Sequence, residues 1–148
     1  MKSRILFVTG ALLFVAAWGL PVIKDGVTLP GGLPGWQAFR VAASPLWPYE
    51  GVATDSWYHP ALCSLSAATN LVMLAVPTFS VRRRIFNRAA AIAAIEAFAV
   101  NTQWVLGAGA PGDLRIGYYV WMLSFLLVGC GLLLAKRVST QPLAAAAT

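Results

Sequence analysis

The chain has 148 residues, of which 59% are hydrophobic and only 11% charged. A soluble domain carries about 25% charged residues, so an ordinary soluble globular protein is the first class excluded. The net charge of +6 would suit a nucleic-acid binder, but the basic residues gather at the ends of apolar segments and mark membrane topology instead.

The first apolar segment covers about 5–23, "ILFVTGALLFVAAWGLPVI", preceded by Lys2 and Arg4. It resembles a signal peptide in its basic start and apolar core. Its length also meets the roughly 17–25 residues that a membrane helix needs, and an uncleaved first span is expected. An outer loop at about 24–58 follows. Its start, "KDGVTLPGGLPG", is rich in glycine and proline and is read as irregular. Within the loop, Trp36, Phe39, Ala43 and Trp47 recur at helical spacing, and Arg40 can reach water. This predicts a short amphipathic helix at about 34–43, lying in the membrane interface. Trp36, Phe39, Arg40, Trp47, Trp57, Tyr58 and His59 form an expected interfacial lid, since aromatic rings favour the headgroup level.

A second span is expected at about 60–79, followed by the short basic turn "SVRRRIFN". A third at about 88–107 is then its antiparallel neighbour. After "GAGAPGDLR", a fourth span at about 116–135 opens on the aromatic "GYYVW" and closes on Lys136 and Arg137. Basic residues precede the first span, separate the second from the third and follow the fourth, while Asp25, Glu50, Asp55 and Asp113 occupy the other loops. This pattern puts both termini in the cytoplasm. Residues 1–138 read as a single all-α domain, a four-helix polytopic membrane bundle, and 139–148 as a cytoplasmic tail.

"LPGWQAF" after a first membrane helix, with "GYYVWMLSFLL" opening a last one, resembles small uncharacterised four-span bacterial inner-membrane proteins. The resemblance implies a fold and a bacterial plasma-membrane location, and no activity. The long tryptophan-bearing first loop is also similar in topology to claudins, whose paired loop cysteines this chain lacks.

Polar residues inside spans are the candidate site. Ser66, Thr69 and Asn70 share one face of the second span. On the third, Glu96 and Gln103 share a stripe with Ala89, Ala93 and Ala99. Asn101 lies nearer the stripe of Ala90, Ala94 and Ala97. Asn70 and Glu96 both fall near the expected midplane, so an Asn70–Glu96 contact is expected. The alanine stripes make the third span the most enclosed one expected. An ionised acid in hydrocarbon must pair, protonate or face a cavity, and no Lys or Arg of this chain shares the depth of Glu96.

Catalytic sets are not legible. His59, the sole histidine, has only Asp55 nearby in sequence, too few groups for a metal site or a triad. There is no phosphate-binding or dinucleotide motif, and no cofactor is implied. Cys63 and Cys130 form no CxxC, and the "GCG" around Cys130 suits close helix contact. The leading expectation is a non-enzymatic accessory, scaffold or assembly subunit, in contact with the bilayer and with other membrane chains or its own copies. A transport or proton-linked protein with its site at Glu96, Asn70 and Gln103 is the alternative. An enzyme acting beneath the lid near His59 and Asp55 is the third reading.

Overall fold

The computed structural model describes residues 2–24, 31–47, 58–80, 84–108 and 111–135. Trp57, Asp55 and the tail lie outside these residues. The described chain is mostly helical. Its elements are α1 (Lys2–Ala17), β1 (Pro21–Ile23), β2 (Leu33–Pro34), α2 (Gly35–Ala42), α3 (Tyr58–Ser80), α4 (Arg84–Gln103) and α5 (Ile116–Leu133). A π-helical turn, Trp104–Ala108, extends α4, and a 3-10 turn, Pro111–Asp113, precedes α5. Two helical stretches, Arg88–Leu106 and Ile116–Leu133, are long and apolar enough to cross a membrane.

The first helix is shorter than the sequence suggests. It stops at Ala17, and Trp18, Gly19 and Leu20 donate i→i−3 bonds to Val15, Ala16 and Ala17. The cause is local: Pro21 lacks an amide hydrogen and disfavours helical backbone at Leu20. Pro21–Ile23 instead pairs antiparallel with Leu33–Pro34, and Ile23 also bridges to Leu114. Gly32 makes the return possible: its φ is +95°, and a Cβ there would lie 2.5 Å from the Ile23 carbonyl oxygen. The expected amphipathic helix is present as α2, with Tyr58 and His59 opening α3 after it.

The core runs between the long helices. Phe14, Met73, Val76, Ala91, Ala94, Ala97, Phe125 and Val128 are buried together. α3 and α4 pack as neighbours, and α5 packs against both α1 and α4. The fourth segment, not the third, is therefore the enclosed one: 56% of Ile116–Leu133 is buried, against 22% of Arg88–Leu106. Glycine explains the difference. A Cβ on Gly131 would lie 2.7 Å from the Phe7 amide nitrogen of α1. On Gly129 it would lie 3.3 Å from the Ala91 carbonyl oxygen of α4. These absent side chains admit two neighbouring helices on two sides of α5. The buried alanines of α4 lie on one face only. Ala91, Ala94, Ala97 and Asn101 are buried, while Ala89, Ile92, Glu96 and Ala99 are exposed.

Candidate functional site

The polar residues within the helices form a seam joining α3, α4 and α5. Asn101 is its hub and is fully buried. Its Oδ1 accepts a bond from Ser66 Oγ at 2.6 Å. Its Nδ2 donates to Thr69 Oγ1 at 3.2 Å and to the Ala97 carbonyl at 2.7 Å. Its own carbonyl accepts from the Tyr118 hydroxyl at 2.6 Å. Beside it, Trp121 Nε1 donates to Asn70 Oδ1 at 2.9 Å. Every partner is a neutral group, so the seam ties three helices without burying a charge.

Glu96 does not belong to this seam. Helical spacing separates it from Asn101: five residues turn the helix by well over a quarter-turn beyond a full turn, at 3.6 residues per turn. Glu96 is exposed, with exposed Ile92 and Ala99 on its flanks. The expected Asn70–Glu96 contact is thus replaced by Asn70–Trp121, because Asn70 faces α5 while Glu96 faces away from the bundle. Gln103 is half-buried, and its Nε2 is a buried donor without a hydrogen-bond partner among the described residues. Asn101, placed by sequence on the stripe of Ala90, Ala94 and Ala97 away from Glu96, is the centre of the polar contacts.

At the same end of the bundle, the hairpin and α2 fold over the helix ends. The Gly35 amide donates to the Leu20 carbonyl at 3.1 Å and the Trp36 amide to the Trp18 carbonyl at 3.2 Å. A Cβ at Gly35 would lie 2.3 Å from the Ala17 carbonyl oxygen, so only glycine allows this approach. Phe39 packs on Trp18 with ring centroids 5.5 Å apart. Trp36 and Trp47 remain exposed on the outside of this cover. The Arg40 guanidinium sits 3.8 Å over the Trp47 ring and donates to the Trp47 carbonyl, closing the turn after α2. An exposed cation–π contact is worth about 0.5–1 kcal/mol. Arg40→Ala should therefore leave the bundle folded and speed amide hydrogen exchange at Leu46 and Trp47, read by mass spectrometry.

Between cover and bundle lies a cavity of about 220 Å³. Trp18, Phe39, Trp104 and Trp121 supply aromatic walls, and Ser66 and Asn70 bring the edge of the polar seam to it. The rings stack edge to face through the core, Trp121 on Phe125 at 5.1 Å and Phe125 on Phe14 at 6.1 Å, which holds the walls rigid. Tyr118 and Trp121 are the residues sequence reading missed here. They read as headgroup anchors, yet their i, i+3 spacing on a helix without charge, with one polar atom each, was the available signal.

Among the described residues, no three His, Cys, Asp or Glu side chains come together as metal ligands would. Cys63 and Cys130 are both free thiols. No family model, curated protein or solved structure matches this chain.

Proposed function

We propose that the chain is a four-span bacterial inner-membrane protein with both termini cytoplasmic, acting as an accessory or assembly subunit. On this reading, α1, α3, α4 and α5 all cross the bilayer, and the aromatic cover lies at the outer headgroup level. α1 is about 24 Å long at 1.5 Å per residue. The extended residues after it lengthen its path towards the roughly 30 Å of a hydrocarbon core. α3 crosses with length to spare.

The observation that carries the subunit role is the exposure of Glu96 midway along an apolar helix. An acid facing lipid at that depth costs about 2.5 kcal/mol or more. A second membrane chain that offers a hydrogen-bond donor or a cation there removes the cost. A partner that offers a cation is a different protein, because this chain has no Lys or Arg at the depth of Glu96. A proton-linked transport site draws less support. It needs Glu96, Asn70 and Gln103 to converge, and Asn70 is held by Trp121 on another side of the bundle.

Purification from native membranes in mild detergent tests the role. The wild-type chain is expected to bring a second membrane protein with it, and Glu96→Ala to lose that protein while the bundle keeps its unfolding temperature. Glu96→Gln separates the two kinds of contact: it retains the partner if the contact is a hydrogen bond and releases it if the contact is an ion pair. A wild-type chain that emerges alone contradicts the proposal.

A further inference from the structure

We infer that the cavity beneath α2 is a binding site for an uncharged, single-ring lipophilic molecule carrying a carbonyl acceptor, held by the side-chain amide of Asn70. Volume sets the size of the ligand. A dry apolar cavity of about 150 Å³ accepts benzene, and this one, at about 220 Å³, has room for one ring and a short substituent. The lining sets the charge. Among the described residues, none of the side chains lining the cavity is Asp, Glu, Lys, Arg or His, so none of them would compensate an ion in a low-dielectric site.

The polar edge sets the functional group. Asn70 is 6% exposed and lines the cavity. Its Oδ1 is taken by Trp121, but among the described residues its Nδ2 has only a long bond, 3.4 Å, to the Ser66 carbonyl. An amide nitrogen carries two hydrogens, so a donor is left for a ligand. Asn101 shows what a completed amide looks like in this seam: its Nδ2 makes two shorter bonds, at 3.2 and 2.7 Å. A buried donor of this kind selects for an acceptor such as a ketone, ester or amide oxygen. The π-helical turn that begins at Trp104, itself on the cavity wall, is a second sign. Such turns are rare, and they occur frequently at functional sites.

The site is independent of the Glu96 face, which lies elsewhere on α4, so either proposal can fail alone. The test uses the full chain in lipid nanodiscs with acetophenone as probe and ethylbenzene as its counterpart without a carbonyl. Binding is read as protection of Cys63, which lines the cavity, from N-ethylmaleimide, with modification at Cys63 and Cys130 separated by mass spectrometry. Acetophenone is expected to protect Cys63 saturably, and about tenfold more weakly in Asn70→Leu, the value of one well-made hydrogen bond. Ethylbenzene should bind both forms alike. Ala38→Trp fills the cavity from α2 while leaving the seam's own side chains unchanged, and should abolish protection by either probe. Partition into lipid is the same for every variant and cannot mimic this pattern. Absence of saturable protection, or protection unchanged in Ala38→Trp, overturns the site. Equal protection by both probes in the wild type overturns the acceptor and assigns the cavity to plain hydrocarbon such as a lipid chain.

Discussion

Gly131→Ala is expected to lower the unfolding temperature of the purified chain by several degrees, against the direction that helix propensity sets. In a helix interior, alanine is favoured over glycine by about 1 kcal/mol. At this position the new Cβ would lie 2.7 Å from the Phe7 amide nitrogen and 3.0 Å from the Ser3 carbonyl oxygen. Both are backbone atoms of α1 and cannot rotate away. The helices must separate, and overpacking of this kind costs about 1–3 kcal/mol. At roughly 2–4 °C per kcal/mol for a chain of this size, the shift is measurable by circular dichroism in detergent. Gly129→Ala is the informative companion. Its closest contact, 2.8 Å, is to a side-chain atom of Ile95, which can move, so its loss should be smaller. A third change, Gly112→Ala, meets nothing within 4 Å and should leave the unfolding temperature unchanged. Equal behaviour of all three would remove the close α1–α5 contact from the fold.

Asn101→Leu is expected to cost about 2 kcal/mol, more than any change at Glu96. The substitution leaves the Ser66 hydroxyl without the acceptor it donates to, while Thr69 loses a donor but keeps its own bond to the Ser66 carbonyl, and a buried unsatisfied group costs about 1–3 kcal/mol. Individual interhelical hydrogen bonds within membranes average about 0.6 kcal/mol, so the loss of partners matters more than the bonds themselves. The bond from Tyr118 goes to the backbone carbonyl of Asn101 and survives the change. A double-mutant cycle of Ser66→Ala with Asn101→Ala isolates the pair, with a coupling of about 0.6–1.7 kcal/mol expected. A coupling of zero would place the two residues apart. Glu96→Gln, by contrast, should leave the isolated chain's stability unchanged, since Glu96 is exposed in it.

The elements were legible where hydropathy has a period or a length. α2 was read to within a residue of each end from Trp36, Phe39 and Ala43, and α3, α4 and α5 from their apolar runs. The end of the first helix was not, because Val22 and Ile23 continue an apolar run by composition while Pro21 ends the helix by geometry. The hairpin was not legible: Val22 and Ile23 are β-branched, but Pro21–Ile23 pairs with Leu33–Pro34 across a connection longer than the two-residue turns that mark hairpins in sequence. Within the seam, Asn70 and Thr69 were legible as polar residues in an apolar helix, but their partners were not. Depth along a helix can be counted from sequence; rotation about its axis is set by packing. Glu96 and Asn70 share an expected depth and face different ways. Asn101 and Trp121 gain their roles from the glycine-lined contacts of α5, which no single-helix pattern displays.

The exposed acid on α4 is where the proposed role meets a direct measurement. A photo-crosslinking amino acid placed at Ile92, exposed one turn before Glu96 on the same face, keeps the acid in place and reports, when activated in native membranes, what covers that face. Leu71, exposed on α3, serves as the reference for a face turned to lipid. A protein–protein adduct at position 92, with only lipid adducts at position 71, is the expected result. Lipid adducts alone at both positions would contradict a partner chain at Glu96.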